Sequence, residues 1–105
     1  DAVVHLGDYV YEYANKLGGK FKAIRNHIPM REIVSLKDYR SRYAQYRLDE
    51  DLQEMHRLFP FISIWDDHEV ANNSYKDGAQ NHQPEEGNWE ERKAIAKQVY
   101  FEWLP

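Results

Sequence analysis

The chain contains no cysteine, which excludes a disulfide framework, a cysteine-ligated zinc site and a thiol nucleophile. The same lack leaves the redox compartment open, since a chain without thiols suits cytosol and periplasm alike. Basic residues are the minority, 14 Lys and Arg against 18 Asp and Glu, for a formal net charge of −4. That is the wrong sign for a surface built to hold a long polyanion such as nucleic acid, which calls for clustered cations and a high pI. No apolar run approaches the ~18–20 residues that a membrane span requires. A basic stretch leading into an apolar one, the mark of a targeting signal, is missing too, as are internal repeats and low-complexity tracts.

What is present fits one domain at most, since 105 residues lie at the low end of the usual ~100–200 per domain. Apolar residues at 42% are enough for a packed core and too many for a disordered chain. Eight tyrosines supply bulk with a polar tip, suiting a core that borders a polar site. Residue 1 is Asp, a strand-like run begins at once, and the last residues stop at the end of a helical pattern. The expectation is an internal segment of a longer chain, cut at both ends.

Local patterning sets out the elements. Ala2-Val3-Val4-His5-Leu6 is rich in β-branched residues and bounded by Gly7-Asp8, which predicts a buried strand. Residues 9–17 read as a turn with a short helix, ending at Gly18-Gly19, and 21–29 as loop up to Pro29. Ser35 with Asp38 three residues on forms a capping-box start, followed by Leu36, Tyr39, Tyr43 and Tyr46 on one helical face. Asp49 caps a second helix bearing Leu52, Met55, Leu58 and Phe59, which Pro60 ends. Residues 61–65 predict a second buried strand, parallel to the first. A long polar loop spans 71–87, of the length at which loops are often functional. Asn88 then caps a helix bearing Ile95, Val99 and Trp103. The fold class is α/β.

Two clusters lie past the carboxyl ends of the strands, where α/β proteins place their sites. In the first, Gly7 frees the backbone to turn so that Asp8 and Tyr11 can aim at one point. Carboxylate and phenolate together suit a hard cation such as Fe(III); the plainer alternative is a turn carboxylate beside core tyrosines. The second is Asp66-Asp67-His68-Glu69. Adjacent carboxylates raise each other's pKa, and a cation between them removes the conflict. His68 suits either metal binding or proton donation near neutral pH. The competing structural role is a helix N-terminus, where acidic residues favour the macrodipole.

Taken together, His5-Leu6-Gly7-Asp8-Tyr9-Val10-Tyr11-Glu12, Ser35-Leu36-Lys37-Asp38-Tyr39-Arg40-x-Arg42-Tyr43 and Ile64-Trp65-Asp66-Asp67-His68-Glu69-Val70-Ala71-Asn72-Asn73 closely resemble, in order, motifs of the PhoD-like alkaline phosphatases. The resemblance implies part of a calcineurin-like metallophosphoesterase α/β/β/α sandwich, here about two strands and three to four helices. It implies hydrolysis of phosphate monoesters and diesters by a metal-activated water, with Fe(III) and Ca(II) as cofactors. By position, Asp8 would bridge the metals, Tyr11 would bind Fe(III), Asp67 would bind the second metal, and His68 would contact the phosphate and protonate the leaving oxygen. Asp66, Glu69 and Asn73 would hold the site in shape through hydrogen bonds. The resemblance further implies a periplasmic or secreted location. Catalytic ions take at least three protein ligands each, so the remaining ligands would come from other parts of the same domain, and the isolated segment would be inactive.

Arg31, Arg40, Arg42 and Arg47 are tempting phosphate clamps, but a Tyr/Arg-alternating helix favours a solvated face for them. His5, His56 and His82 read as structural or loop residues. Two other functions compete: a phosphodiesterase or nuclease of the same superfamily, disfavoured for long nucleic acids by the acidic charge, and a small helical interaction module with a Ca(II)-stabilised acidic loop.

Overall fold

The computed structural model describes residues 1–16 and 24–104. In chain order it has strand β1 (Val3–His5), helix α1 (Leu36–Tyr46), helix α2 (Glu50–Leu58), strand β2 (Phe61–Ser63) and helix α3 (Trp89–Trp103), with a single 3₁₀ turn at Pro84–Glu86. It is a small α/β unit. The strands pair in parallel, Val3 opposite Phe61 and His5 opposite Ser63, so both point their carboxyl ends the same way. A parallel pair needs a long crossover, and α1 with α2 lies within it.

The helix starts follow their caps. Ser35 accepts a hydrogen bond from the Asp38 N–H while the Asp38 carboxylate accepts one from the Ser35 N–H. Asp49 and Asn88 cap α2 and α3 with their side-chain oxygens. The apolar face of α1 then packs on α3: Tyr39 and Tyr43 join Val10, Ile33, Ala96, Val99 and Tyr100 in one buried cluster. Burying Val10, Ile33 and Val99 stabilises the unit by ~1.5–3 kcal/mol each in transfer terms.

Several expectations are corrected. Residues 9–16 form no helix; they run irregularly because Tyr9 and Val10 are drawn into the core while the backbone carbonyls of Tyr11 and Tyr13 turn to Arg42. The turn expected at Gly18-Gly19 lies outside the described residues, as does 21–23 of the expected loop. The strands are not buried on both faces: Val4 and Ile62 are 64% and 59% exposed. The second strand also ends at Ser63, so Ile64 and Trp65 lie beyond it. Helix α2 buries none of its residues fully, and its Leu58 faces solvent.

Arg42 departs most from expectation. It is fully buried and donates to the carbonyls of Tyr11, Tyr13, Ile28, Pro29 and Arg31. An irregular segment packed on a helix leaves carbonyls without ladder partners, and a guanidinium with five N–H donors satisfies them together. Arg40 pairs with Glu102, Arg31 with Asp38, and Arg47 donates to the Trp103 carbonyl. Among the described residues no helix is long and apolar enough to cross a membrane.

Candidate metal centre

Strand β1 delivers Asp8 through two residues with positive φ, Gly7 at +105° and Asp8 at 57°. A side chain at Gly7 would place its Cβ 2.5 Å from the Asp66 Cβ and 2.7 Å from the Asp66 nitrogen. Only glycine allows the two strand-end turns to approach this closely. A non-glycine residue at positive φ costs roughly 1–2 kcal/mol, and such strain gathers at functional sites. Asn73, across the site, has φ 52°.

One carboxylate joins the turns. The oxygens of buried Glu69 accept from the backbone N–H groups of Asp8 (3.1 Å), Asp66 (2.7 Å) and Tyr9. Burial pushes the Glu69 pKa up, and the backbone donors pull it back part of the way. Asp66 turns inward to its neighbour, accepting from the Asp67 N–H at 2.8 Å. Asp67 in turn accepts from the Asn73 N–H. Asn72 and Asn73 both donate side-chain amide hydrogens to the same Gln80 oxygen, at 2.8 and 2.6 Å.

With the turns so fixed, Asp8, Asp67 and His68 each bring one ligand atom within 4.8 Å of the others. The Tyr11 hydroxyl reaches the same point, 3.3 Å from the Asp8 carboxylate, and the rings of Tyr11 and His68 lie 4.4 Å apart. The second oxygen of Asp8, Oδ1, is buried and has no hydrogen-bond partner among the described residues. A buried carboxylate oxygen left unpaired is costly; a cation would satisfy it. The pKa of Tyr11 is raised, by desolvation first and then by the Asp8 charge. That phenol ionises near neutrality only if a positive charge outweighs Asp8. For His68, burial works to lower the pKa, but the hydrogen bond and charge of Glu12, joined by Asp67 and Asp8, raise it overall.

Sequence reasoning gave Glu12 no role. It is fully buried and takes His68 Nδ1 at 2.7 Å, the Asn72 N–H at 2.7 Å and the Asn81 side chain at 2.8 Å. Its one visible signal was a carboxylate placed between Tyr11 and Tyr13, in a stretch otherwise drawn into the core. Arg92 is likewise buried, and binds the Tyr39 hydroxyl, the Asn81 and Ile33 carbonyls and the Glu32 carboxylate. It thereby ties the loop 71–87 to α3. His56 bonds the Tyr9 hydroxyl and stacks on Phe61, His5 accepts from the Gly7 N–H, and His82 lies against Trp89; all three are structural. A cavity of about 500 Å³ lies between Trp65, Tyr75, Lys76, Lys97 and Tyr100, but Asp8, Tyr11, Asp67 and His68 do not line it.

Two strand-end carboxylates, a phenol and an imidazole converging beside a parallel strand pair define an α/β unit with a candidate cation site of mostly oxygen donors. The chain belongs to the PhoD-like phosphatase family, whose model matches residues 1–105. It is 46% identical over 110 residues to alkaline phosphatase D of Bacillus subtilis (strain 168), a match covering all of this chain and 18% of that protein. It superposes on the solved structure titled "Structure of PhoD" with a TM-score of 0.85 at 43% identity, covering all of this chain and 20% of that one. The chain thus spans about a fifth of the length of these relatives.

Proposed function

We propose that this chain is part of the catalytic domain of a phosphoric-ester hydrolase and supplies part of its metal centre together with the histidine that faces the substrate. The observation that carries this reading is the convergence of Asp8, Asp67 and His68, with one oxygen of Asp8 buried and without a partner among the described residues. Family membership supports it, as does the similarity to an alkaline phosphatase. Remaining parts of the same domain would cover the exposed sheet face at Val4 and Ile62, since parallel sheets are normally covered on both faces. A calcineurin-like sandwich meets that need.

The donor set fits hard cations. Asp8, Asp67 and Tyr11 offer oxygen; Tyr11 would give Fe(III) a phenolate, and the carboxylates suit Ca(II), which takes oxygen ligands throughout. Such a pair, when bound, supplies positive charge for the phosphoryl oxygens and acidifies a water. The chain's own residues do the rest. Asp8 would hold the ions through its carboxylate, with Glu69 holding its backbone. His68 presents the nitrogen not engaged by Glu12 to the ester and, as the imidazolium with a hydrogen on each nitrogen, gives the one on that nitrogen to the departing alkoxide. Tyr11 and Tyr13 wall the imidazole, at 4.4 and 5.3 Å between ring centroids, and limit the water around it. Substrates would be phosphate monoesters or diesters, and a periplasmic or secreted location suits such an enzyme.

Metal analysis and hydrolysis of an aryl phosphate by the full-length protein test the reading. Asp8→Ala should lose bound metal together with activity. Tyr11→Phe should abolish any tyrosinate-to-Fe(III) absorption band. His68→Ala should keep its metal and slow turnover by ~10²–10⁴-fold, the range for a missing general acid. Full activity after exhaustive chelation would refute the proposal.

A further inference from the structure

Glu12 stands apart from the cation-facing donors, and what it dictates follows from counting hydrogens. A carboxylate only accepts. Its Oε1 is occupied by two donors, the Asn72 backbone N–H at 2.7 Å and the Asn81 amide at 2.8 Å. Its Oε2 lies 2.7 Å from His68 Nδ1. His68 must therefore carry a hydrogen on Nδ1 and present Nε2 to the site. The Asn72 donor is backbone and cannot be reversed. Asn81 is held in place through its backbone carbonyl, to which Arg92 donates at 3.0 Å, while its side-chain amide can turn, so the Asn72 N–H is the fixed donor. The acceptor demand on the Oε1 side is thus built into the loop 71–87.

We infer that Glu12 is the positioning residue of this site: closed on one oxygen by Asn72 and Asn81, it fixes the tautomer and ring plane of His68 and so sets which nitrogen faces the phosphate ester. The inference rests on the reading of His68 as the substrate-facing group. It also gives the asparagine-rich loop a purpose, since Asn72 and Asn81 occupy Oε1 and leave Oε2 to accept from His68.

Glu12→Gln is the decisive substitution. The fixed Asn72 N–H on the Oε1 side forces the new carbonyl to face it, so the new NH₂ group faces His68. His68 Nδ1 must then accept, and its hydrogen moves to Nε2. Nitrogen NMR of histidine-labelled full-length protein without added metal reads this directly, with His68→Gln assigning the resonance. In the neutral ring the wild type should show its one hydrogen on Nδ1, and Glu12→Gln its one hydrogen on Nε2. In the loaded enzyme Glu12→Gln should lower kcat by ~10²–10⁴-fold with KM little changed, and most for esters with poor leaving groups. Asn81→Ala loosens the same network but leaves Glu12 an acceptor, so it should keep the wild-type tautomer and lose far less kcat. An unchanged tautomer in Glu12→Gln, or equal losses of kcat in the two variants, overturns the inference. If Glu12→Gln does not fold, a wild-type spectrum with the hydrogen on Nε2 overturns it alone. A wild type with the expected tautomer but no phosphatase activity would sink the proposed function and leave the tautomer assignment standing.

Discussion

Replacing Glu69 by Gln tests whether one buried carboxylate holds the two halves of the site together. Its Oε2 accepts from the Asp8 and Asp66 N–H groups and its Oε1 from Tyr9. A glutamine carbonyl can serve only one side. Facing Asp8 and Asp66, it keeps two bonds and sets its own NH₂ against the Tyr9 N–H. One buried donor left unsatisfied costs ~1–3 kcal/mol, and exchanging two charge-assisted bonds for neutral ones costs about 1 kcal/mol each. Burial opposes the charge on Glu69, so removing it returns part of this, and the expected net loss is about 2–4 kcal/mol. Glu69→Ala leaves all three donors unpaired and should exceed it. Urea unfolding of the full-length protein reads the loss as a lower midpoint at unchanged slope, and metal analysis reads the drift of Asp8 from Asp67. A midpoint shift worth less than about 0.5 kcal/mol with full metal content would refute the clamp.

Gly7→Ala forces a Cβ to within 2.5 Å of the Asp66 Cβ at φ +105°, so it should cost at least ~1–2 kcal/mol and reduce metal content with Asp8 and Asp67 themselves intact; wild-type metal affinity would contradict this. Burial pushes the Tyr39 pKa up to about 12, so the folded state favours the neutral phenol. That contribution is complete below pH 10, shrinks as pH rises, and is gone above about 12; ultraviolet titration should show Tyr39 ionising only with alkaline unfolding, against a Tyr39→Phe control that lacks this step.

Much of the fold was legible because its signals are local. Ser35, Asp49 and Asn88 marked helix starts that hold in the structure, since a cap bonds only to residues two or three positions on. The tyrosine face of α1 was visible as a period. The parallel pairing followed from two short apolar runs separated by helices. Asp8, Tyr11, Asp67 and His68 stood out because polar groups directly after apolar strands need a purpose, and the structure groups Asp8, Asp67 and His68 with the Tyr11 hydroxyl 3.3 Å from Asp8.

What the sequence could not state depends on separations of many residues. Arg42 looked like one more solvated arginine of a helix, and became a buried hub only because residues 11–13 and 28–31 bring bare carbonyls to it. Glu12 was one acid among 18 Asp and Glu until folding set it against His68, 56 positions away, and Asn81, 69 away. Composition and periodicity report which residues can be helical, buried or charged. Which buried charge meets which donor is decided by packing, because unpaired buried polar groups are costly enough that the tertiary structure must match them one by one.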